Sequence, residues 1–267
     1  MHLFLKPIME ELVHLEETGI LIDTPYGSKI CKARLRLMTI DLPARAIVMN
    51  MKYYNGEKYS QFCLQSGTTL PEIHCTDFGH MRKKVVLRDN ASLQRHSEEA
   101  LKTGTTIYGV KGVSPLARVK SVDLVKSCAI DWMHCVLLGV TRKRFEIRLS
   151  KDTRLLLTKI PLVDKRFLSI TDIPKHITTV PRSVTEWSNW KANEFRTFLI
   201  HYGLPVLRGT LPLDNYIHFT LLVAAIRRRS QAKICVSDVE TAYKYLDIFC
   251  CHFENLYEKI QLQLLPP

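Results

Sequence analysis

The sequence predicts a mixed α/β fold, and three features carry that reading. Residues 3–17 place apolar side chains at spacings near three and four, the mark of an amphipathic helix. From Ile30 to Ile40 the pattern alternates instead, with Cys31, Ala33, Leu35 and Leu37 on one face and Lys32, Arg34 and Arg36 on the other, which describes a strand with a basic face. The C-terminal third returns to helical spacing over about 190–202, 213–229 and 237–262. A chain of 267 residues that is 46% hydrophobic buries a substantial core, as one large domain or two small ones.

Taken in order, the first helix stops at Gly19, a short extended piece covers Ile20 to Asp23, and Thr24-Pro25-Tyr26-Gly27 reads as a turn. The strand ending at Ile40 runs into Asp41, and a helix starts at Leu42 with Pro43 in its first turn, where a missing N–H costs nothing. Asp41 carries two readings. An acid at the C-terminal end of a strand is where α/β sheets place functional side chains, and an aspartate before a helix is also a good N-cap. Residues 53–80 form a polar, turn-rich excursion, followed by a helix at about 91–102. The GVKGVSPL stretch at 109–116 has glycines and a lysine without the spacing of a phosphate-binding loop.

From Val119 an apolar stretch leads into Asp131-Trp132-Met133-His134 and a helix through Cys135-Val136-Leu137-Leu138. Asp131 and His134, three residues apart, share a face if both lie on the first helical turn, either as a cap and a packed imidazole or as joint supports of a nearby ion site. A basic segment, Arg142-Lys143-Arg144, precedes a linker punctuated by Pro161, Pro174 and Pro181. In the helix after it, Glu194 lies at the border of a face made by Trp190, Phe195, Phe198 and Leu199.

Composition narrows the functional classes. Lys+Arg 38 against Asp+Glu 26 gives a formal net charge of +12, which points to nucleic acid as the commonest acidic partner, while an ordinary solvated basic surface, an anionic membrane and an acidic protein together weigh about as much. The opening residues lack the pattern of a secretory leader, and the longest apolar runs fall short of the ~20 residues that span a bilayer, so no membrane partner is expected. Eight cysteines are too dilute for a disulfide scaffold, leaving free thiols or a zinc held by Cys63, His74 and Cys75.

Four stretches together resemble a known family: DLPARAIVMNMKYYNGEKYSQFCLQSG at 41–67, GVKGVSPL at 109–116, DWMHCVLLGVTRK at 131–143 and VPRSVTEWSNWKANEFRTFLIHYGLPVLRGTLP at 180–212. Their order and spacing are similar to those of animal transposase-domain proteins, related to the CACTA (En/Spm-like) DNA transposases. The resemblance implies an RNase H-like core of the DDE/D type, incomplete at the N-terminus. It implies a partial sheet at 1–60, a largely helical insertion at 61–180 and a helical part at 181–267. In such a fold carboxylates hold Mg²⁺ or Mn²⁺ for phosphodiester cleavage and strand transfer.

By position, the resemblance makes Asp41 and Glu194 the metal-binding catalytic carboxylates, and Asp131 and His134 the supporting DxxH pair. It also implies a DNA partner, a homo-oligomer in the intact family and a nuclear location, or a cytoplasmic one for a non-functional fragment. The DNA-contacting candidates are Lys32, Arg34, Arg36, Arg142, Lys143, Arg144, Arg227, Arg228 and Arg229. Two departures accompany the match. Asp23, in a turn-like setting, is the only aspartate upstream of Asp41, and Cys63 matches only the second cysteine of the GCxxC-like pair that relatives show. A catalytically incomplete transposase piece is the leading expectation, and a domesticated, non-catalytic DNA-binding or protein-interaction module is the alternative.

Overall fold

The structure, a computed structural model, describes residues 2–53, 56–70, 75–78, 85–149, 158–175, 177 and 179–257. It is mixed α/β, and the chain divides into two compact units between Asp131 and Trp132.

In the first unit, α1 (His2–Glu17) ends where Thr18 and Gly19 both donate to the carbonyl of His14, at 2.8 and 3.0 Å. Strands β1 (Ile20–Thr24) and β2 (Gly27–Cys31) form an antiparallel ribbon around the expected turn, with Thr24 opposite Gly27. The single strand expected over Ile30 to Ile40 is corrected here. Pairing stops at Cys31, Lys32 to Leu37 run without regular structure, and β3 (Met38–Ile40) begins a separate sheet. The cause lies in the partners: Ala33 donates to Leu15 O at 3.1 Å and Lys32 Nζ to Glu17 O at 2.6 Å, so the end of α1 holds the backbone that β2 would otherwise extend.

Strand β3 pairs in parallel with β6 (Cys128–Ile130), with Ile40 opposite Ile130. Between them the chain makes α2 (Leu42–Val48), the short hairpin β4 (Thr68–Leu70) and β5 (Cys75–Asp77), α3 (Asn90–Thr103) and a 3₁₀ turn over Pro115–Arg118. The core gathers Met49, Met51, Leu93, Val110, Leu116 and Leu124. The turn-rich excursion is pinned from inside by Arg88, which is 4% exposed. Its Nε donates to Ser60 O (2.8 Å) and Cys63 O (3.2 Å), and its Nη2 to Lys58 O and Tyr108 O. Burial pulls this guanidinium down to about 10. Gly109 closes the same knot: its φ is +83°, and a Cβ there would fall 2.2 Å from Lys58 O, so only glycine fits.

The second unit is helical. A π-helix (Met133–Thr141) continues directly into α4 (Arg142–Leu149). The expected proline-rich linker contains a helix, α5 (Ile160–Leu168), because Pro161 falls in its first turn, where proline is tolerated. After a 3₁₀ segment (Val184–Asn189) come α6 (Ala192–Thr197), a second π-helix (Phe198–Tyr202) and α7 (Gly203–Leu207). Two long helices, α8 (Leu213–Arg229) and α9 (Val236–Leu256), then pack along each other. The core is strongly aromatic, built around Phe145, Phe167, Trp190, Phe195, Phe198 and Phe219. Phe198 takes edge-on contacts from Phe145 at 4.8 Å and from Phe167 at 5.3 Å, the arrangement that ring quadrupoles favour.

Candidate functional site

The parallel pair β3–β6 positions the most suggestive residues of the first unit. Because the register ends with Ile40 opposite Ile130, Asp41 and Asp131 are the first residues beyond the two paired strands. Asp41 settles its local reading as a cap: Oδ1 accepts from the Ala44 N–H at 2.8 Å, with the backbone extended at φ −66°, ψ 165°. Capping employs one oxygen and keeps the carboxyl half-buried at the sheet edge. Asp131 is not helical, so the expectation that it shares a first helical turn with His134 is corrected. The helix after it is wound as a π-helix from Met133, and His134 is exposed on that helix.

Helix α2 brings Arg45 one turn behind Asp41. Arg45 is buried, its guanidinium sits 5.7 Å from the centre of the Phe62 ring, and its charge partly offsets the burial that pushes the Cys128 thiol up to about 11. A pocket of about 230 Å³ beside this helix is lined by Leu42, Arg45, Met49, Tyr59 and Gln61. Gln61 is 1% exposed. Its amide N donates to Val125 O (3.1 Å) and Cys128 O (2.9 Å), which fixes the orientation of the amide and leaves Oε1 without a donor among the described residues. No local sequence signal singles out Arg45 or Gln61, because their roles depend on contacts with residues distant in the chain.

In the second unit Glu194 is firmly engaged. Its two oxygens accept from Arg182 Nε and Nη2, both at 3.0 Å, and Oε2 also accepts from the Lys191 N–H at 2.7 Å. The carboxylate therefore caps α6 and forms a fork-shaped ion pair, a task that answers its charge within the unit. Arg182 was invisible as its partner because twelve residues and a 3₁₀ segment separate the two.

The basic candidates separate into exposed and committed groups. Lys32, Arg34 and Arg36 are exposed, although Lys32 also ties to Glu17 O. Arg142 is exposed, with Nη2 3.4 Å from Ser188 O, whereas Lys143 pairs with Glu146 at 3.1 Å. Arg144 is corrected: it is 1% exposed, with its guanidinium 4.4 Å from the Tyr257 ring centre and 5.6 Å from those of Phe249 and Phe253, so it cannot meet a phosphate from there. Arg227 Nε donates to Ile200 O at 2.6 Å, Arg228 pairs with Asp238 at 3.0 Å, and Arg229 is exposed.

Of the zinc candidates, Cys63 is buried with Sγ 3.3 Å from Ser60 Oγ, His74 lies outside the described residues, and so does the side chain of Cys75. Among the described residues no three His, Cys, Asp or Glu side chains gather as a metal cluster, and no helix is long and apolar enough to cross a membrane.

Compared with known proteins, the chain matches no family model, and neither the curated proteins nor the solved structures yield a match.

Proposed function

We propose that the chain is a piece of a DDE/D-type DNA transposase, with an RNase H-like origin for the β3–β6 pair and with DNA as partner. The observation that supports this reading most is that the register of the adjacent parallel strands ends at Ile40 opposite Ile130, which makes Asp41 and Asp131 the residues that follow the two strand ends. Two carboxylates set by the same sheet edge fit a hard divalent cation, Mg²⁺ or Mn²⁺, which commonly binds through one or two protein carboxylates and completes its shell with water and substrate phosphate. Such an ion supplies charge stabilisation to a phosphodiester displacement. Asp41 and Asp131 would orient it, and the exposed cations Lys32, Arg34 and Arg36 would hold DNA phosphates. Glu194 would have to leave Arg182 and the N-terminus of α6 to join such chemistry, which argues for a catalytically incomplete piece.

The experiment is Mn²⁺ or Mg²⁺-dependent nicking of supercoiled plasmid, run beside Mn²⁺ titration of the same protein. The reading expects Mn²⁺ to bind through Asp41 and Asp131 with little or no nicking. Efficient nicking abolished by Glu194→Ala would overturn the inactivity, and absence of any Mn²⁺ binding would overturn the carboxylate site.

A further inference from the structure

The β1–β2 ribbon of the first unit is largely uncovered. Every residue of β2 is exposed, and so are four of the five in β1. Its composition is apolar for such a position. Leu21 and Ile30 face each other across the ladder and are each 68% exposed, while Ile20 and Ile22 are exposed on the opposite face. Among the described residues the sheet has two strands only, so both edges present unpaired backbone N–H and C=O groups. An isolated two-stranded ribbon is marginal in water, and exposed edges of this kind are usually shortened, kinked or covered.

The base of the ribbon is built firmly. Gly19 takes φ +80° between α1 and β1, where a Cβ would fall 2.6 Å from Cys31 O, and the contacts from Ala33 to Leu15 O and from Lys32 to Glu17 O fix the other leg. The arm is therefore held out by its root rather than left loose.

We propose that this ribbon docks an extended, acidic segment of a partner protein, which adds as a third strand along the β2 edge. Backbone pairing would supply the affinity, Leu21 and Ile30 would pack its apolar side chains, and charge would select it. The selection follows from the exposed cations at and just beyond β2: Lys29 within the strand and Lys32, Arg34 and Arg36 in the segment that leads from it, against Asp23 in the ribbon, which is bonded to Ser28 Oγ, and Glu17 at the root beside Lys32. A second copy of the chain would bring the same cations to the same edge and be repelled. Nucleic acid is disfavoured as occupant of the ribbon itself, where four of the eight exposed side chains of the two strands are isoleucine or leucine; Lys32, Arg34 and Arg36, which the proposed function gives to DNA phosphates, lie beyond it, so DNA and the peptide would compete for them.

The test uses the full chain and labelled short peptides of alternating valine and glutamate, followed by fluorescence anisotropy. Saturable binding is expected, weakened by added salt, lost when alternate peptide nitrogens are methylated, and reduced about 10-fold in a Leu21→Thr/Ile30→Thr variant that keeps strand-favouring residues and an unchanged melting temperature. The proposal is overturned if no saturation occurs or if a valine–lysine peptide binds equally well. It is also overturned if sedimentation shows a dimer that the double variant abolishes, or if that variant loses duplex DNA affinity while its peptide affinity stands. The fate of the carboxylate site does not enter, since Asp41 and Asp131 are untouched by this variant.

Discussion

Asp41 and Asp131 each follow directly on one end of the parallel register that closes with Ile40 opposite Ile130, although ninety residues separate them in the chain. Asp41 caps α2, and the proposed metal site would give the same side chain a second task. The two can be separated. Asparagine caps a helix about as well as aspartate but carries no charge, whereas alanine loses both properties. If the proposed carboxylate site is right, millimolar Mn²⁺ stabilises the wild type, and Asp41→Asn is expected to remove that stabilisation while leaving the metal-free urea midpoint unchanged. Asp41→Ala is expected to cost about 1 kcal/mol even without metal. Asp131→Asn should match Asp41→Asn in the metal-dependent thermal shift.

Glu194 provides the counterpart in the second unit. Its fork with Arg182 is well formed, but Arg182 is 39% exposed, so solvent screens the pair and its worth is moderate. A double-mutant cycle of Arg182→Met and Glu194→Gln should give a coupling of about 1–2 kcal/mol in urea unfolding. Glutamine can still accept from the Lys191 N–H, so Glu194→Gln alone is expected to destabilise less than Glu194→Ala. Equal losses would mean that the cap contributes nothing beyond the ion pair.

Much of the architecture is legible in the sequence, for reasons that differ by element. The helices at 2–17, 90–103, 213–229 and 236–256 follow from side-chain period, which is a local property. The ribbon turn and the start of α2 follow from Pro25, Gly27, Asp41 and Pro43, residues whose own backbone preferences act locally. What failed depends on contacts made at a distance. The alternation from Ile30 to Ile40 is real, yet a strand needs a partner, and α1 takes the backbone at Ala33. Asp131 is legible as a candidate site residue, but the pairing of the strand before it with the strand before Asp41 is not, because parallel pairing across so long a crossover leaves no local mark. Arg144 looked like one more surface cation in a basic run, and only the rings of α9 and of Tyr257 beyond it reveal its burial.

His96 gives the first unit a specific acid sensitivity. It lies on α3 with its ring 4.8 Å from that of Tyr108, and burial, followed by the charges of Arg88 and Arg95, holds its pKa below the ordinary 6.5. In the unfolded chain the imidazole binds a proton more readily than in the folded one. Its contribution is therefore present above about pH 6.5 and is lost as pH falls toward the depressed folded value. Urea midpoints measured from pH 7 down to 5 should decline less steeply in His96→Phe, which keeps a ring against Tyr108 and cannot titrate. A parallel decline in both proteins would assign the acid sensitivity elsewhere.

The basic residues make opposite predictions according to where the fold places them. For an exposed cation that meets a phosphate, removal lowers the slope of log affinity against log salt by about 1, because one fewer counterion is displaced. Arg34→Ala and Arg36→Ala are therefore expected to flatten the salt dependence of duplex DNA binding, each with little change in melting temperature. Arg144 behaves in the reverse sense. Its side chain fills space against Phe249, Phe253 and Tyr257, so Arg144→Ala is expected to cost about 2–4 kcal/mol of stability through lost packing and cation–π contact. At temperatures where that variant stays folded, its DNA salt slope should equal the wild type's. A flattened slope for Arg144→Ala, with unchanged stability, would place its guanidinium on the surface and contradict the aromatic enclosure.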